Sequence, residues 1–214
     1  QYGRSVQAVV TYLSIWQLLP SHRLVTLMSD LCGCPMSAGS VSGMVRRAGL
    51  GALQVVPEIQ ERLLRGPWVG FDETGLSVGG AMHWLHTASS PRWTVLHAHE
   101  KRGGEGISAG HILPHFQGRA GHDFLAAYMG FTQCSHALCN SHHLRDLRFV
   151  HEVLGQSWAA EMSGLLIEMK EAAESRRAAG SVLSSEQLDH FHDRYIEILE
   201  IGYEQNPDPP PKAP

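Results

Sequence analysis

Residues 68–80 read WVGFDETGLSVGG: a short apolar run, two adjacent carboxylates at Asp72 and Glu73, and a close on Gly79-Gly80. Apolar and aromatic runs bounded by glycine or proline read as strands. Two more such runs follow, MHWLHTAS and WTVLHAHE, and the breaks between the three are Gly79-Gly80 and Ser90-Pro91. That spacing predicts a three-stranded antiparallel meander joined by tight connections. Beyond it, GEGISAGHILPHF reads as a helix, GRAGHDF as a short strand and SHALCNSH as another strand.

The resulting order is three meandering strands, a helix, a fourth strand, a helix and a fifth strand. This is the order of a ribonuclease H-like mixed sheet, in which the first strand lies beside the fourth. The fold class expected is therefore α/β (α+β), with Asp72 at the end of strand one and Asp123 at the end of strand four. Upstream, residues 5–19 show helical spacing. In SHRLVTLMSDLCG, Leu24, Leu27, Met28 and Leu31 share one helical face, and Gly33 is a stop signal. CPMSAGSVSGMVRRAG then opens with a Pro and a Ser that can cap a new helix bearing Val41, Met44 and Val45 on one face. Two short helices joined by a glycine-containing turn form a helix-turn-helix pattern. Ser40, Ser42, Arg46 and Arg47 lie off the apolar face as candidate DNA contacts; a hairpin that only packs on its neighbour is the competing reading.

The organisation expected is a helix-turn-helix-like region at 1–50, a linking helix at 51–66 and a partial ribonuclease H-like core at 67–150. Acidic helices at 151–205 and a proline-rich, extended tail at 206–214 complete it. In the acidic helices, Trp158, Met162, Leu165, Leu166 and Met169 form a stripe expected to face a core.

Charge is distributed unevenly. The net −4 is made of +3 over residues 1–50, zero over 51–150 and −7 over 151–214. Phosphate binding needs local cations, so a DNA-binding role would fall on the N-terminal part. No run of about 18 apolar residues suggests a membrane span, and no signal-peptide pattern opens the chain. A reduced cytoplasmic setting is expected, nucleoid-associated when DNA is bound. The four cysteines fall in the pairs Cys32/Cys34 and Cys134/Cys139, and a disulfide framework is the less favoured reading at this size. The first residue is Gln1, which suggests a fragment.

Two aspartates at neighbouring strand ends suit hard divalent cations such as Mg²⁺, which take oxygen ligands and keep several waters. Phosphodiester cleavage commonly uses two such ions about 4 Å apart. Taken alone, GFDETG and GHDF are each ordinary acidic turns; the strand order is what pairs them. A second cluster, Cys134, Cys139, His142 and His143, has spacings a zinc site can use. The competing reading is a buried Cys/His set packed behind Asp123. Arg145 and Arg148, one helical turn apart, either meet a DNA phosphate or pair with nearby acids such as Asp146.

The ordered series DETGLSVGGAMHWLHTAS, KRG, GHILPHFQG, HDFLAAY and HALCNSHHLRDL resembles the central domain of insertion-sequence-66 family transposases. The upstream LLPSHRLVTLMSDLCGCPMSAGSVSGMVRRA resembles the segment that precedes it. The resemblance implies an acidic-triad (DDE) enzyme that cuts and joins DNA at element ends with Mg²⁺ or Mn²⁺, working as a homo-oligomer. It matches the first two catalytic, metal-binding acids to Asp72 and Asp123, and gives Glu73 an outer role. The third acid, which the family carries in a stretch like NNxAERxxR, has no match here. Glu152, Glu161 and Glu168 are explained better as a solvated helix face. A chain truncated before the third acid, and weak or inactive alone, is expected. The alternative is a non-catalytic DNA-binding remnant acting through the N-terminal helix pair.

Overall fold

The structure, a computed structural model, describes residues 2–207. Residues 208–214, most of the expected proline-rich tail, lie outside the described residues. The chain divides into two compact units, residues 1–118 and 119–214. Among the described residues the first unit contains three strands and the second two.

The first unit opens with four helices: α1 (Arg4–Thr11), α2 (Ser21–Cys32), α3 (Ala38–Ala52) and α4 (Val56–Leu64). The segment after α1 widens into a π-helix at Tyr12–Trp16. Val10 of α1, Leu24 and Met28 of α2, Met36, and Val41 and Met44 of α3 form one buried cluster. Burying side chains of this kind is worth about 1.5–3 kcal/mol each before the cost of ordering them. Leu31, placed by spacing on the same face, is instead 79% exposed, one turn beyond the cluster's edge.

The α2–α3 turn follows from its residues. Gly33 adopts φ +58°, a left-handed conformation that glycine enters without a Cβ penalty. Its N–H bonds Ser29 O, and Cys34 N–H bonds Met28 O, closing the helix end. Ser37 then caps α3 by accepting the Ser40 N–H at 3.1 Å.

The meander is β1 (Trp68–Val78), β2 (Ala81–Ser89) and β3 (Thr94–His99), all antiparallel. Gly79 and Gly80 both take positive φ, as a two-residue hairpin turn demands. β1 runs to Val78, five residues beyond the WVGFDE strand expected from the sequence, so Asp72 lies within the strand and not at its end. The expected helix after β3 is short: α5 (Gly104–Ala109), followed by a 3₁₀ turn at Leu113–His115. Pro114 and the two glycines at 103–104 limit it.

In the second unit β4 (Arg119–His122) and β5 (Ser135–Leu138) pair in parallel, Ala120 opposite His136. A 3₁₀ turn at Ala126–Gly130 stands where a helix was expected between them. Three helices follow: α6 (Asn140–Glu152), α7 (Ser157–Ala178) and α8 (Ser185–Gln205). The expected stripe does face a core. Met162 and Leu165 are buried with Phe191 and Ile198, and Trp158, Leu166 and Met169 pack against them. A reciprocal Ser184–Gln187 capping box starts α8. Arg194 bridges to Glu168 across the α7–α8 pair at 2.8 Å.

Candidate functional site

Strand alternation decides the fates of the two adjacent acids. Neighbouring residues of a strand point to opposite faces. Val69 and Phe71 are buried, and Glu73 has their parity; Asp72 has the other and is exposed. Asp72 Oδ1 accepts the Glu73 N–H at 2.9 Å. The Glu73 side chain, by contrast, has no exposed surface, and its Oε1 accepts from Arg102 Nε at 2.8 Å. The Arg102 guanidinium also lies 4.9 Å from the centre of the Trp84 ring.

Glu73 belongs to a polar row across the meander. It stands opposite His86, which stands opposite His97. The two imidazoles stack at 4.8 Å and 14°. His86 Nε2 bonds Lys101 O at 3.0 Å, and His97 Nε2 bonds Gly106 O at 2.7 Å. A carbonyl only accepts, so each ring donates from Nε2. Burial is the main cause that pulls the His97 pKa below its ordinary value, with nearby His86, His99 and His111 adding to it and the Gly106 bond opposing. The 101–106 segment is thus tied to three strands by Glu73, His86 and His97. Sequence reasoning gave Glu73 only an outer role and left Arg102, His86 and His97 out. The parity of Glu73 with Val69 and Phe71, and of His86 with Ala88, was the available signal.

Asp123 directly follows β4 in the second unit. Its Oδ1 accepts the Leu125 N–H at 2.8 Å, and its carbonyl faces His122 Nδ1 at 2.6 Å. His122 is buried, stacked 4.5 Å from Tyr128, and its Nε2 is 2.8 Å from His136 Nδ1. His136 Nε2 in turn faces Phe131 O at 3.2 Å. With both outer nitrogens donating to carbonyls, the inner contact is a hydrogen bond only when one ring carries a second proton.

The four zinc candidates do not assemble. The buried Cys134 thiol turns to Phe131 O at 3.3 Å, and burial pushes its pKa up. His143 packs edge-on to Phe124 at 4.7 Å, and burial lowers its pKa. Cys139, the residue before α6, and His142 remain as a pair. Hydrogen bonding from the His142 side chain is the first cause that lowers the Cys139 thiol. His142 Nδ1 is itself buried without a hydrogen-bond partner. Among the described residues, no group of three or more His, Cys, Asp or Glu side chains is gathered to hold a metal. The carboxylates of Asp72 and Asp123 match Mg²⁺ or Mn²⁺ in donor chemistry.

The nucleic-acid candidates separate by face. Ser42 and Arg46 are exposed on the outer side of α3. Ser40 and Arg47 instead line a depression of about 400 Å³ with Tyr2 and Gln7. Arg145 reaches Asp146 at 3.3 Å, the ion-pair reading, and Arg148 is exposed. No described helix is long and apolar enough to cross a membrane.

Comparison with known families gives the class, transposase. Residues 1–202 match the model of the Transposase IS66 family, and the chain belongs to that family. A search of curated proteins gives no match.

Proposed function

We propose that the chain carries the first two acids of a DDE-type transposase core, Asp72 and Asp123, which would hold Mg²⁺ or Mn²⁺ for cutting and joining DNA at inverted repeats. The observation that supports this reading is membership of the IS66 family, with one acid on β1 and the other directly after β4. When bound, the metal supplies an activated attacking oxygen and charge stabilisation at the leaving oxygen. Asp72 offers an exposed carboxylate anchored by the Glu73 N–H, and Asp123 one anchored by the Leu125 N–H. Such anchoring fixes the orientation of each carboxylate.

No third acid in the family's motif context occurs in residues 1–214, so strand transfer by this chain alone is expected to be weak. The test is strand cleavage and joining on inverted-repeat DNA with Mg²⁺ or Mn²⁺, comparing the parent with Asp72→Asn and Asp123→Asn. Residual activity that survives both substitutions would sink the assignment. Robust activity that both abolish would show a third ligand within the chain.

A second reading, DNA binding through the N-terminal helix pair without catalysis, is favoured by one observation. The left-handed Gly33 turn and the Ser37 cap leave Ser42 and Arg46 on the outer side of α3. Under this reading Arg46→Ala weakens DNA binding and lowers its salt dependence. An unchanged salt slope removes it. In the whole enzyme a homo-oligomer acting on element ends is part of the same proposal.

A further inference from the structure

The meander carries an unusual charge pattern. Residues 74–99 contain no Asp or Glu, although the chain has 21 of them. β1 and β2 pair from Gly70–Ser89 to Val78–Ala81, while β3 pairs with β2 only from Trp84 onward. Residues 76–83 therefore form a two-stranded ribbon that extends past β3. Its tip is open: Ser77, Gly79 and Gly80 are exposed, Val78 is 47% exposed and Met82 63%. The Ser77 hydroxyl and the His83 ring are its polar side chains. At its base stands Arg102, its side chain 45% exposed, with Lys101 exposed beside it. Glu100 and Glu105 are the nearest acids in sequence, and both are exposed.

Arg102 is placed with unusual firmness for a surface cation. A carboxylate with no exposed surface takes its Nε–H, and an indole face lies under its guanidinium. The chain segment that bears it is tied down by His86 at Lys101 O and His97 at Gly106 O. Gly106 is required for this seat, since a Cβ there would meet His86 Nε2 at 2.6 Å and the Lys101 carbonyl. A planar guanidinium fixed in this way is suited to a phosphate, and little side-chain freedom is lost when it binds. A two-stranded ribbon fits a DNA groove, and residues 76–83 carry no carboxylate to repel the phosphates beside them.

We propose that Arg102 is a DNA backbone contact, presented by Glu73 and Trp84 at the base of a DNA-docking ribbon formed by residues 76–83. This rests on the transposase reading above and adds a contact surface to it. Glu73 is then a positioning residue, acting through Arg102.

The test is titration of the full 214-residue chain with a labelled mixed-sequence duplex over a salt series. Loss of one phosphate contact lowers the slope of log K against log salt by about 0.9. Arg102→Ala should therefore bind with that shallower slope. Its affinity deficit relative to the parent should shrink about 3.5-fold between about 50 and 200 mM salt. Arg102→Lys keeps the charge and should keep the parent slope, and so should Arg65→Ala, an exposed α4 cation outside this surface. Ser77→Glu changes only an exposed ribbon position, so its fold is safe, and it should weaken binding about threefold or more at low salt. A parent slope in Arg102→Ala, or parent affinity in Ser77→Glu, overturns the inference while the transposase reading stands. A parent chain without salt-dependent DNA binding overturns both.

Discussion

Replacing each of the two adjacent acids by alanine should have opposite consequences. Glu73→Ala removes a carboxylate with no exposed surface and its 2.8 Å bond to Arg102. Breaking a fully buried ion pair by removing one partner costs about 3–5 kcal/mol. Arg102 remains 45% exposed, so the penalty on its charge is screened by water. What remains is the lost bond and the space left by the side chain, together about 2–3 kcal/mol. For a chain of this length each kcal/mol shifts Tm by about 2–4 °C, so a fall of roughly 4–12 °C is expected. Asp72→Ala removes an exposed carboxylate bonded to the next N–H, and its stability should stay within about 0.5 kcal/mol of the parent. Metal-dependent strand cleavage should show the reverse order, with Asp72→Ala the more damaging. Thermal and urea unfolding of the purified variants measure the first ranking, and a cleavage assay the second. Equal destabilisation by the two substitutions, or a neutral Glu73→Ala, would refute the assignment of opposite faces.

Further outcomes follow from the same geometry. Gly106→Ala should cost about 1–3 kcal/mol by overpacking against His86 and the Lys101 carbonyl, whereas Gly104→Ala, with nothing within 4 Å, should be near neutral in urea titrations. His97 has a folded pKa below its ordinary value of 6.5, so its neutral form stabilises the fold. That stability is complete above the unfolded value and is lost as pH falls from there towards the folded one. The parent should therefore lose more stability than His97→Gln between about pH 7.5 and 5.5, read by denaturant unfolding at each pH. Mass-mapped alkylation near neutral pH should label Cys139, whose thiol pKa is lowered, faster than Cys134, whose thiol is buried and raised. Equal rates would contradict those environments.

Much of the fold was legible locally. Glycine and proline marked the meander's turns because each imposes a backbone conformation that neighbours do not override. Helical spacing located α2, α3 and the α7 core stripe, because burial on one side of a helix leaves a period of 3.6 residues in the sequence. Strand lengths were harder. β1 continues through Gly75, a poor strand former in isolation, because β2 supplies hydrogen-bond partners up to Ala81. The predicted helix before β5 failed for the converse reason: residues 126–130 hold only a 3₁₀ turn, with Tyr128 buried beneath His122.

The sequence by itself determined the order of the strands and the family. It also contained, in strand parity, the statement that Asp72 and Glu73 point apart. Only the tertiary structure decided which of them is buried and what each touches. Glu73 meets Arg102 from a position 29 residues away, and His86 meets the Lys101 carbonyl 15 residues away. Contacts of that range depend on how β1, β2 and the segment after β3 fold onto one face, and no local pattern encodes them. The Cys/His cluster teaches the same point. Spacing put four possible ligands within ten residues. The turn before β5 and the start of α6 aim them at Phe131, Phe124 and one another instead.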